Sequence, residues 1–117
     1  MKIERVVPNI TARSRDELDQ IVSQSTEVLG ITVLMDHGWI TTLGDDTGHQ
    51  ISVMTRDAAA PFNPVASVFV DDVRTALDQA EAAGMEIVHP LTEEDWGVTR
   101  FFYRDAGGNV INVGMHS

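Results

Sequence analysis

DAGGNVINV, residues 105–113, joins a turn to a strand and decides the fold. Asp105-Ala106-Gly107-Gly108-Asn109 carries the residue types that tight turns select. Val110-Ile111-Asn112-Val113 then alternates, so Asn112 lies on the face opposite Ile111 and Val113. The same pattern occurs 60 residues earlier as DDTGHQISV, residues 45–53. Asp45 matches Asp105, Gly48 matches Gly108, Ile51 matches Ile111 and Val53 matches Val113, and Ser52 falls on Asn112. ELDQ (17–20) echoes ALDQ (76–79) at a spacing of 59. Two echoes at nearly one spacing imply an internal repeat.

Each half reads as strand, helix and three further strands. Ile3 to Ile10 is rich in branched residues and reads as a strand. Ser14-Arg15-Asp16-Glu17 is a capping box, and Leu18, Ile21 and Val22 form the apolar face of the helix it starts. Strands are expected near 27–36, 38–43 and 49–55, broken by Asp36-His37-Gly38 and Gly44-Asp45-Asp46-Thr47-Gly48. AAAPFNP (58–64) has two prolines that favour an extended path. Val65 to Val70 reads as the fifth strand, and Asp71 or Asp72 as the cap of a helix with Val73, Leu77 and Ala80 inward. Gly84 suits the left-handed exit of that helix. Strands near 85–88, 97–104 and 108–114 follow. The expectation is a single α+β domain of two βαβββ modules, 1–57 and 65–117, joined by the linker 58–64.

A chain of 117 residues with 43% hydrophobic and 22% charged residues has the means for one modest core. It has no cysteine, which excludes disulfides, thiolate ligands and a thiol nucleophile. No apolar run approaches the roughly 20 residues of a membrane helix. MKIERVV shows no basic segment leading into an apolar core, so a cytoplasmic location is expected. The net charge of −10 disfavours nucleic acid and would draw in a cationic ligand at long range.

VFVDDVRTALDQAEAAGMEIVHP (68–90) and WGVTRFFYRDAGGNVINV (96–113) resemble the vicinal oxygen chelate superfamily. This group includes glyoxalase I, extradiol dioxygenases, fosfomycin-resistance enzymes and bleomycin-resistance proteins. Its common pattern is a strand, Val-Asp-Asp-Val, a helix ending in Ala-Ala-Gly, Trp-Gly, and an Asp-Pro-Asp-Gly-Asn turn. This chain lacks the proline and second aspartate of that turn. The resemblance implies modules that form curved mixed sheets facing each other around a cavity, and it implies a homodimer.

It also implies four strand positions where the enzymes hold a divalent metal with His, Glu or Gln. They are expected at Arg5, Ser52, Val65 and Asn112. Arginine cannot ligate, valine has no donor, and serine or a lone amide oxygen is a poor substitute for carboxylate or imidazole. No metal, cofactor or catalytic residue is therefore expected. His37, His49, His89 and His116 read as surface or turn histidines, and Glu93-Glu94-Asp95 as a solvated loop or an acidic rim. Trp39, Trp96, Arg5, Ser52, Met54, Arg100, Phe102 and Asn112 are the candidate ligand-binding residues. Phe101 and Tyr103 share a face and Phe102 takes the other, so one of these faces must be core.

The leading expectation is a metal-free binding protein of the bleomycin-resistance type. It would sequester an aromatic or cationic antibiotic-like molecule in a dimer groove. The alternatives are a metal-dependent lyase, isomerase or dioxygenase, and a structural dimer with a vestigial cavity.

Overall fold

The computed structural model describes all 117 residues. The element order is β1 (Ile3–Thr11), α1 (Arg15–Leu29), β2 (Thr32–Asp36), β3 (Ile40–Gly44), β4 (Gln50–Met54), β5 (Ala66–Val70), α2 (Val73–Ala82), β6 (Glu86–Glu93), β7 (Val98–Arg104) and β8 (Val110–His116). This is an α+β chain of two βαβββ modules. Its contacts divide it into two compact units, Val7–Asn63, and Pro64–Ser117 together with Met1–Val6.

In the unit Val7–Asn63 the strand order is β2-β3-β4-β1. β1 runs parallel to β4, with Asn9 opposite Ser52, and the other pairs are antiparallel. Ser14 caps α1 by accepting from Glu17 N, as the capping box requires. Leu18 and Val53 are buried with Ala12, and Ile21 and Val22 pack against them. The strand expected over 27–36 is corrected: Glu27, Val28 and Leu29 continue the helix. Gly30 is the first residue able to close it, at φ 68°, donating to the Thr26 carbonyl. Asn63 pins the linker by donating to the Thr55 carbonyl and the Thr11 hydroxyl.

In the other unit the order is β5-β8-β7-β6, with β5 parallel to β8. Asp72 caps α2 through Thr75 N, and Asp71 instead accepts from Lys2 N. Val70, Val73, Ala76, Phe101 and Val113 form the core, with Ile87, Leu91, Tyr103 and Ile111 packed against it. Of the β7 aromatics, Phe101 and Tyr103 therefore face α2. β6 does not stop near residue 88 but continues to Glu93. It is an edge strand, where the missing N–H of Pro90 leaves no interior ladder bond unmade. β8 likewise runs on to His116, so that residue is not in a free tail.

The repeat survives as chemistry in its two turns. Asp45 Oδ1 accepts from Thr47 N and His49 N, and Asp105 Oδ1 accepts from Gly107 N and Asn109 N. Gly48 and Gly108 both have φ near +90°, at 92° and 82°. The bonds hold both carboxyls below the ordinary carboxylate range, chiefly the His49 side chain at Asp45 and the Asn109 backbone at Asp105.

Leu18, 1% exposed, is the main contact of α1 with its sheet. Leu18→Ala should cost about 2–5 kcal/mol in urea unfolding, the range for a leucine cavity. Asp72→Ala should cost only about 1 kcal/mol, as for a lost cap.

Candidate functional site

The sheet of the Pro64–Ser117 unit has one apolar face, against α2, and one polar face. Alternation along β8 sends Ile111, Val113 and Met115 toward α2 and leaves Asn112, Gly114 and His116 on the other side. Strand pairing then sets a row across that polar face. Ser67 lies opposite Asn112, Asn112 opposite Phe102, and Phe102 opposite His89. The next row places Phe69, Gly114 and Arg100 side by side.

The first row is closed by hydrogen bonding. Asn112 Nδ2 donates to Ser67 Oγ at 3.0 Å, and both residues are buried. Ser67 thus takes the strand-five position opposite Asn112. The expected position, Val65, precedes β5 and is half exposed. In the other unit Asn9, not Arg5, lies opposite Ser52. Ser52 Oγ bonds Thr42 Oγ1 at 2.8 Å, and Met54 is buried two residues on. Trp39 sits half-buried just before β3, its carbonyl accepting from Thr55 N.

Arg100 is buried on the polar face with Glu94 and His89. Its guanidinium carbon lies 5.0 Å from the Trp96 ring centre and 4.9 Å from that of Phe102. Glu94 Oε1 is 3.6 Å from Arg100 Nε and 3.2 Å from His89 Nε2, and the His89 ring packs on Phe102 at 5.0 Å. Two expectations are corrected here. His89 is not a surface histidine, and Glu94 is not a solvated loop residue, although Glu93, Asp95 and Trp96 are exposed. The cause is bulging in β6. Two register shifts flank His89 and turn it from the Ile87 side to the Phe102 side.

Arg5 and His116 form the outer part of the same face. Arg5 lies 4.1 Å over the Phe69 ring, and that ring stacks on His116 at 4.6 Å with a 12° tilt. Arg5 Nη2 is 3.0 Å from His116 Nε2. A guanidinium cannot accept, so the imidazole accepts, neutral at Nε2 and protonated at Nδ1. Burial, then the Arg5 charge, lower the His116 pKa, and Glu4 opposes them. Burial also lowers the Arg5 pKa. Gly114 lets this stack sit close to the strand, because a Cβ there would stand 3.3 Å from the Phe69 ring and press on it.

The structure thus brings together Arg5, Trp96, Arg100, Phe102 and Asn112 on one face of one unit. Trp39, Ser52 and Met54 belong to the other. Sequence reasoning missed Ser67, His89 and His116 as members. A divalent ion does not fit the donors present. Ser67 and Asn112 are neutral and bonded to each other, and in neither unit do three His, Asp or Glu side chains converge on one point. An apolar cleft of about 320 Å³ lies on the opposite, α2 side, lined by residues such as Ile3, Val70, Met85 and Tyr103.

The Glyoxalase/Bleomycin resistance protein/Dioxygenase superfamily model matches residues 11–113, and the chain belongs to that superfamily. A superfamily member from Vibrio splendidus 12B01 is 19% identical over 99% of this chain and all of its own, with a TM-score of 0.69. Methylmalonyl-CoA epimerase from Mycobacterium tuberculosis is 15% identical, covering 98% of this chain and 87% of that one, also at 0.69. A structure described as NAD-dependent benzaldehyde dehydrogenase from Legionella pneumophila reaches 0.77 at 13% identity, over 96% of this chain and 99% of that one. At these identities the likeness is one of fold. No curated protein matches the chain.

Two predictions follow from the polar face. Glu94→Gln keeps the shape but leaves the Arg100 charge buried without its carboxylate, and should cost on the order of 3–5 kcal/mol. Adding Arg100→Met should recover part of that loss, and a double-mutant cycle in urea measures it. His116 should titrate by NMR below the ordinary 6.5. Because folding lowers this pKa, the stability it contributes is complete above about 6.5 and is lost as pH falls through the folded value. Arg5→Met should move the midpoint up.

Proposed function

We propose that this chain is a binding protein that holds an aromatic, antibiotic-like small molecule without a metal. The observation that carries the reading is the buried Ser67–Asn112 hydrogen bond. A pair of neutral side chains bonded to each other occupies neighbouring strand positions from which a metal site would need carboxylate or imidazole. Exposed Trp96 and half-buried Phe69 supply stacking surface, Trp96 at the solvent edge.

A cationic ligand suits this face less well than the net charge alone suggests. Arg5 and Arg100 are fixed cations within about 5 Å of three of its rings, at 4.1, 5.0 and 4.9 Å. A neutral aromatic meets no such repulsion.

The proposal includes a homodimer and residence in the cytoplasm. All five residues of the edge strand β2 are exposed, among them Val33, Leu34 and Met35. An apolar edge left open invites pairing with a second chain. No helix is long and apolar enough to cross a membrane.

Native mass spectrometry of chelator-free protein tests the central claim. The expected result is a dimer that takes up no stoichiometric zinc, nickel or manganese and keeps or gains an aromatic small molecule. One tightly held metal ion per chain would sink the proposal. Val33→Lys with Met35→Lys should give a folded monomer in sedimentation; an unchanged dimer would place the interface elsewhere.

A further inference from the structure

Asn112 has one end of its side chain unaccounted for. It is 6% exposed, its Nδ2 donates to Ser67, and its Oδ1 has no hydrogen-bond partner. A buried amide oxygen has lost water and gains nothing back until a donor reaches it. Such an atom in an otherwise bonded row marks a place kept for a ligand rather than for folding.

The neighbours narrow what that ligand can be. Asn112 lies between Ser67 and Phe102 on its row, and Phe102 is fully buried. Asn112 and Phe102 are both buried, so an aromatic edge must part this face to reach them, and it then meets a ring and one vacant acceptor. The cations Arg5 and Arg100 offer only donors, so they select against an ammonium group. The Glu94 carboxylate is engaged by His89 and Arg100.

We propose that Asn112 is the polar anchor of the site. Its Oδ1 accepts a hydrogen bond from a neutral O–H or N–H on the rim of a flat aromatic molecule, a phenol or aromatic carboxamide. This rests on the binding-protein reading above and deepens it: the ligand meets an amide oxygen instead of a metal ion. Were the amide turned the other way, its NH₂ would be the buried end, and ligands with only acceptors would be preferred.

The test uses matched probes on the full ¹⁵N-labelled chain. Phenol is compared with anisole, and benzamide with N,N-dimethylbenzamide, by NMR titration. Each donor-bearing probe should shift the Asn112 and Phe102 amide signals and bind about tenfold tighter than its capped partner, the value of one good hydrogen bond in a dry site. Asn112→Leu should bring that ratio to about one, whereas Ser67→Ala should preserve it. If Asn112→Leu does not fold, the wild-type ratios decide alone. Equal binding of capped and uncapped probes, with shifts on this face, would overturn the anchor and leave the binding reading intact. Tighter binding of the capped probes would overturn it in favour of the turned amide. No shift on this face from any probe would overturn both.

Discussion

The period of β8 is the constraint on which the second unit depends. This strand is interior, with β5 on one side and β7 on the other, so its two faces cannot be exchanged without breaking both pairings. Ile111 and Val113 must meet α2, and that fixes Asn112 and Gly114 on the far side. A slip of one residue would bury Asn112 against Val73 and expose Val113. The Asp105 turn prevents the slip, because its carboxylate gathers the backbone N–H groups of Gly107 and Asn109 and sets where β8 begins. The polar face is thus positioned by the apolar one.

What that face holds is unusual for a small domain. Arg100, Glu94 and His89 are all buried, and burying charge is costly unless every partner is in place. Here the guanidinium is flanked by two rings and a carboxylate, and the carboxylate also faces an imidazole. Arginine suits this better than lysine, since its weakly hydrated plane stacks on aromatic rings. The members of this group contact one another and the two rings. Asn112 is the opposite case, bonded at one end and open at the other. A buried ion pair packed between rings, beside a neutral acceptor that lacks a hydrogen bond, is the arrangement of a shaped binding surface.

The modules, both helix starts and the two Asp–Gly turns were legible because each rests on local chemistry: a capping serine or aspartate, a glycine at positive φ, an alternating strand. Membership of the face was legible where alternation runs unbroken, as for Asn112 on β8 and Phe102 on β7. It failed at His89, because the bulges in β6 change the phase without any glycine or charge to announce them. The strand partners of Ser52 and Asn112 are Asn9 and Ser67 rather than Arg5 and Val65, because a repeat gives the spacing between modules and not the register within one. Only the pairing of β5 with β8 selects Ser67 as the partner of Asn112. The end of α1 was misplaced because Val28 and Leu29 have the composition of a strand, and they are exposed at the helix terminus instead.

The charge of −10 suggested a cationic ligand, and the distances show why so global a number does not carry down to the site. Exposed carboxylates act through water, where the Debye length is about 8 Å at physiological salt. Their sum therefore shapes the approach of a molecule and not its seat. At the seat the relevant charges are those within a few ångströms in a drier medium, where each counts several times more. Those are Arg5 over Phe69, Arg100 between Trp96 and Phe102, and the Glu94 carboxylate 3.6 Å from Arg100 Nε. Two cations against one carboxylate leave a sign opposite to that of the chain as a whole. An acidic protein can thus attract weakly at a distance what its own binding surface rejects at contact, and the choice of ligand rests with the contact.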